Sequence, residues 1–182
     1  MDYPSMAADV LQFMDKHQLA TAHLLGHSMG GKIAMWLALI HPYRLEKLIV
    51  ADIAPKSYVH SFDNTIQALI DLPLSEIHSR KQAEILLSSS LPDLSYRQFL
   101  LQNLVLKDNH YCWRVDLAVF KQTAANIISF PDTQDLLPYK GGTIFIAGAE
   151  SSYLAPQDRL NLFPDSEFKM VDNITIIENE KN

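Results

Sequence analysis

The residues best placed to do chemistry lie in the run Gly26-His27-Ser28-Met29-Gly30, a G-x-S-x-G pattern between an apolar stretch and a helical period. A serine at the tip of a sharp strand-to-helix turn lifts its hydroxyl above the sheet, and the first N–H groups of the helix point to the same place. Side chains two positions to either side collide in so tight a turn, which predicts glycine at both 26 and 30. Gly31 then lets the helix approach its surroundings closely. The chemistry this suits is acyl transfer, with Ser28 attacking a carbonyl and the Met29 backbone N–H holding the developing oxyanion.

A hydroxyl is a poor nucleophile without a base, and an imidazole base needs an orienting acid. Two acids end apolar strand patterns on the edge where Ser28 belongs. Asp52 closes "LIVAD" one strand further on, and Glu150 closes "TIFIAGAE" on the strand after that. Asp52 is favoured locally, because Ala54-Pro55 stiffens the chain just beyond it; Glu150 reads more readily as part of a loop but stays as the alternative acid. His27 projects away across the turn and reads as a packed neighbour rather than the base.

The elements that position these residues are set by periodicity. "PSMAADVLQFMDKH" spaces Met6, Val10, Phe13 and Met14 as a helix with Ser5 as its cap. "ATAHLLG" is a short strand, Gly30 to Ile40 a helix stopped by His41-Pro42, and Lys47 to Ile53 a buried strand. This βαβ spacing predicts an α/β fold with a mostly parallel sheet. From Tyr58 to Ser129 the apolar pattern is mainly helical, with "SYRQFLLQNLVL" among the helices and "KDNHY" a break. Strand character returns at "GGTIFIAGAE"; a short helix opens at Pro156, and "SEFKMV" is a last strand. The expected organisation is a core from residues 1–56 and 131–182 with a helical cap insertion at 57–130. A lid there suits ligand binding, since open parallel sheets bind ligands beyond the carboxyl ends of their strands.

Composition removes several function classes. A formal net charge of −6 points away from nucleic acid and from anionic membrane surfaces. Cys112 is the single cysteine, which excludes an internal disulfide and any zinc site built on two or more cysteines of this chain. No window reaches the roughly 18 apolar residues of a spanning helix, and the start "MDYPSMAAD" has no signal-peptide pattern. The default expectation is a cytoplasmic protein without metal or organic cofactor.

The blocks "LLGHSMGGKIAMWLAL", "LEKLIVADIAPKSY", "QNLVLKDNHYCWRVDL" and "GTIFIAGAESSYL" together resemble the α/β-hydrolase superfamily. The likeness is to its small acyl esterase branch, which includes bacterial esterases and mitochondrial abhydrolase-domain proteins. The resemblance implies Ser28 as nucleophile, the Met29 N–H as oxyanion donor and Asp52 as triad acid. It also implies a cap over residues 57–130, with Phe62, Ile66, Leu69, Leu100, Leu104 and Trp113 lining an acyl pocket. The implied substrate is a small-molecule acyl ester or thioester, hydrolysed through an acyl-enzyme.

Two departures qualify this. Members of that branch begin with further strands and a His-Gly loop that gives a second oxyanion N–H, and they place the catalytic histidine after the last strand. Here the pattern begins at the helix before the nucleophile strand, and no histidine follows His110. The expectation is therefore a partial hydrolase core with weak or no turnover of its own. Its bared sheet edge is available for self-association. The competing expectation is a non-catalytic pseudo-hydrolase or interaction module.

Overall fold

The computed structural model describes residues 1–59 and 61–172. The first helix, α1 (Tyr3–Lys16), is capped by Asp2, whose carboxylate accepts the Ser5 N–H at 2.8 Å. Asp2 takes the place expected for Ser5 because Pro4 suits the first turn of a helix and draws its start upstream. Strand β1 (Ala22–His27), helix α2 (Met29–Ile40) and strand β2 (Leu45–Ala51) form the βαβ unit.

The chain then runs through α3 (Asp63–Ile70), α4 (Arg80–Leu86), α5 (Leu94–Leu100), β3 (Leu104–Lys107), β4 (His110–Trp113) and α6 (Leu117–Ile128). Strands β5 (Gly142–Gly148) and β6 (Glu167–Val171) come next, separated by a 3-10 turn over Pro156–Arg159. The fold class is α/β, with a parallel sheet of order β1-β2-β5-β6 and an inserted helical region. The chain divides into two units, Met1–Tyr58 with Asn126–Asn182, and Val59–Ala125.

In the first unit one face of the sheet is dry. Leu48, Val50, Phe145 and Ala147 are buried there with Met35, Leu37 and Ala38 of α2 and Phe163 after β5. The period-2 alternation sends the next residues to the other face, where the paired row Leu25, Ile49 and Ile144 lies. That face is more open: Leu25 is 71% exposed, and Ile49 and Ile144 are half-buried. Among the described residues β1 is an edge strand.

The inserted unit is less helical than the sequence suggests. The apolar run at Leu104–Lys107 is not a continuation of a helix but pairs antiparallel with His110–Trp113. Asp108 and Asn109 both take positive φ, 49° and 65°, as a two-residue hairpin turn requires. Leu69, Leu72, Leu87, Leu101 and Leu104 form this unit's own core. The Trp113 indole N–H donates to the Leu69 carbonyl at 3.2 Å, fixing the hairpin to α3. Leu69 and Leu104, expected to line an acyl pocket, are thus spent on internal packing, and Ile66 is only 1% exposed.

Candidate functional site

The site is built from three adjacent strand ends. Strand β1 stops at His27, and Ser28 turns sharply with φ 51° and ψ −122°, outside the favoured regions for an L-residue. The strain is held by a short frame: the Ser28 N–H donates to the Ala51 carbonyl at 3.1 Å, and the Ser28 carbonyl accepts from Gly31 and Lys32 at 2.9 and 3.2 Å. Ser28 itself is exposed. The Met29 N–H begins α2, where a helix offers no internal acceptor, so it is available to an anion beside Ser28.

The glycines divide the work differently from expectation. A Cβ on Gly26 would stand 2.4 Å from the Gly30 carbonyl oxygen, and one on Gly31 would stand 2.6 Å from the Ile53 side chain. A Cβ on Gly30 would meet nothing within 4 Å. The crowding is therefore between position 26 and the backbone of the helix start; the side-chain direction at 30 points into open space. Both glycines are needed in the expected pattern, but only one of them is needed sterically here.

Asp52 sits one residue past β2, next to Ser28 in register, since His27 pairs with Ala51. It too has a positive φ, 56°, and its N–H donates to the Ile146 carbonyl at 2.8 Å. The residue is 4% exposed, and its Oδ1 is buried with no hydrogen-bond partner among the described residues. A buried carboxylate oxygen without a donor is costly, so this atom is poised for a donor that the described residues do not provide. Glu150 lies two residues past β5, exposed, in a turn closed by the Ser151 N–H to Gly148 carbonyl bond of 3.1 Å.

The loops beyond β2 and β5 are tied together. The Ala54 N–H donates to the Tyr58 hydroxyl at 2.9 Å, and that hydroxyl donates to the Tyr153 carbonyl at 2.6 Å. Lys56 pairs with Asp158 at 2.7 Å. Burial pushes the Asp158 carboxyl up, but the bonds from Lys56 and the Ala155 N–H outweigh it and hold the group below its ordinary value.

Several histidines are engaged elsewhere. His23 pairs with Glu46 at 3.1 Å near the start of β1, and the His17 ring packs at a tilt against Phe13 at the end of α1. His41 bonds Tyr43 at 3.3 Å, and the His110 ring bonds the Asp108 carbonyl at 2.8 Å. His27 is exposed on the last position of β1, and His78 belongs to the inserted unit. His60 and the terminal "ITIIENEKN" lie outside the described residues. Among the described residues no cluster of His, Cys, Asp or Glu could hold a metal ion, and no helix is long and apolar enough to cross a membrane.

Sequence reasoning passes over Lys32. It is fully buried on α2, and its ammonium donates to the carbonyls of Ile128 and Ser129 at 2.7 and 2.8 Å. The available signal is one cation in an otherwise apolar helix, but periodicity says nothing of acceptors 96 and 97 residues away.

A parallel α/β sheet with a strained serine between a strand and a helix, and a buried carboxylate at the next strand end, defines a narrow structural class. The chain belongs to the alpha/beta hydrolase fold family, whose model matches residues 1–172. It is 38% identical over 164 residues to the sn-1-specific diacylglycerol lipase ABHD11 of Xenopus tropicalis, a match covering 87% of this chain and 51% of that protein. It is 30% identical to the esterase YbfF of Escherichia coli K12, covering 94% of this chain and 66% of that one. Among solved structures, a marine microorganism esterase superposes with a TM-score of 0.88 at 34% identity, over 95% of this chain and 70% of the other. The chain thus spans about half the length of the ABHD11 relatives it matches.

Proposed function

We propose that this chain carries the nucleophile half of a serine ester hydrolase that acts on small-molecule acyl esters or thioesters through an acyl-enzyme. The observation that carries the reading is the pairing of a strained, exposed Ser28 with a buried Asp52 whose Oδ1 lacks a donor among the described residues. Ser28 Oγ adds to the ester carbonyl as its proton passes to a base, and the oxyanion is held by the Met29 N–H at the head of α2. Collapse expels the alcohol or thiol, which takes that proton from the base. Water then adds to the acyl carbonyl, passing its proton to the base, and the second collapse releases the acid and returns the proton to Ser28 Oγ. Asp52 orients and compensates the protonated base; Glu150 is the alternative acid, disfavoured by its exposure. The inserted unit serves as the cap, and similarity to esterases and a lipase supports the substrate class.

No residue after His110 is a histidine, so turnover by the chain alone is weak. The test supplies the base. Purified protein is assayed with p-nitrophenyl butyrate with and without imidazole. Hydrolysis is expected to be slow, to rise with imidazole beyond the free-imidazole rate, and to fall to that rate in Ser28→Ala. Equal rates in native protein and S28A under both conditions would reject the reading. They would favour the non-catalytic module, a reading supported by the same lack of histidine.

A further inference from the structure

The two chain connections to the inserted unit cross at one point of the first unit. The outgoing connection passes Ser57 and Tyr58, and the returning one passes Ile127 to Phe130. They are bonded to each other: the Tyr58 N–H donates to the Ile128 carbonyl at 3.2 Å, and the Phe130 N–H to the Ser57 hydroxyl at 3.0 Å. Lys32 stands in the fork. Its ammonium takes the carbonyls of Ile128 and Ser129 and lies 4.6 Å from the centre of the Tyr58 ring. From α1, Tyr3 adds a further bond, its hydroxyl donating to the Ile127 carbonyl. The carbonyls at the C-terminal end of α6 are those a cation favours most.

We propose that Lys32 is the positioning residue of this stem, its single buried ammonium holding the outgoing and returning connections together where they leave and rejoin the core. A surface lysine spends its charge on water; this one is fully buried and pairs with no carboxylate among the described residues. Among the described residues its charge is met by two carbonyl dipoles and by the ring faces of Tyr58 and Tyr3. Opening the stem therefore exposes the ammonium to water, and stem opening and Lys32 hydration become one event. The inference goes beyond the hydrolase reading and stands whether or not Ser28 is a nucleophile.

That coupling has a sign. Burial lowers the Lys32 ammonium from 10.5 to about 8. Among the described residues the titratable groups against it are the phenols of Tyr3 and Tyr58; burial pushes both up, and neither ionises near neutrality. A second ammonium, that of Lys56, lies 5.6 Å from the centre of the same Tyr58 ring and pairs with Asp158. Asp158 and Asp52 act on the Tyr58 phenol and reinforce this. In the closed stem Lys32 gives up its proton near 8, whereas in the opened stem it keeps it to about 10.5. Between these values opening takes up a proton, so raising the pH disfavours opening.

Hydrogen exchange on the full 182-residue chain tests this. After correction for base catalysis, protection of the Tyr58 and Phe130 amides should be flat up to about pH 7. Between pH 8 and 10 it should climb by up to about tenfold per unit, while the amides of the β2–β5 ladder show no such slope. In Lys32→Met the slope disappears, and stem protection at pH 7 falls by roughly tenfold because the two carbonyls lose their donor. A flat stem profile in the native protein, or a slope shared equally by the ladder, overturns the proposal. The native profile decides even if K32M does not fold.

Discussion

Two regions of one rim differ sharply. At the ends of β1 and β2 the chain takes positive φ at Ser28 and at Asp52, and it buries a carboxylate oxygen without a partner among the described residues. At the end of β5 the chain turns without any positive φ, the Ala149 and Ser151 N–H groups are bonded, and Glu150 faces solvent. All three ends are made by the same kind of apolar parallel strand, so the sheet does not impose the strain. Backbone strain and an unpaired buried polar atom each cost about 1–3 kcal/mol. A fold that gathers both on two neighbouring strands and spares the third concentrates its cost where the proposed chemistry is.

The sharpest way to break that comparison is Gly26→Ala. Its Cβ would fall 2.4 Å from backbone that cannot yield, so a loss of about 3 kcal/mol or more is expected, read as a fall of roughly 2–4 °C in Tm per kcal/mol. A native melting curve for G26A would show that the turn is slack. Next in size is Asp52→Asn, since asparagine tolerates positive φ. Imidazole-stimulated hydrolysis should drop by tenfold or more, while stability rises by about 1 kcal/mol because an amide costs less than a carboxylate to bury with an unpaired oxygen. If D52N instead keeps its activity, Asp52 is not the acid.

Glu150→Gln sharpens the contrast from the other side, with both activity and stability expected within about 0.5 kcal/mol of native. A large loss in E150Q would exchange the two acids. The smallest effect is Gly30→Ala, expected to stabilise by about 0.5 kcal/mol through the unfolded chain, because nothing lies near its Cβ. Destabilisation in G30A would restore the two-glycine requirement that the motif suggests.

The same contrast marks what can be read from residue order. The βαβ unit is legible because its apolar stretches have clear periods and His41-Pro42 ends the helix. The Ser28 bend is legible because few other contexts place glycine on both sides of a serine. The hairpin of the inserted unit is not, because "NLVL" continues the apolar spacing of the helix before it, and Asp108-Asn109 is a weak turn signal beside Asn-Gly. Ile66, Leu69 and Leu104 read as pocket residues because apolar type alone does not say whether a side chain faces a ligand or its own core. Lys32 escapes notice for a related reason: its acceptors are backbone carbonyls, which every sequence has everywhere.

The joined connections at Ser57–Tyr58 and Ile128–Phe130 have an evolutionary consequence. Because both cut points of the insertion are neighbours already bonded across, an insert of different length or architecture can replace it without re-registering the parallel sheet. The inserted cassette can then be exchanged while the strained serine corner is inherited untouched.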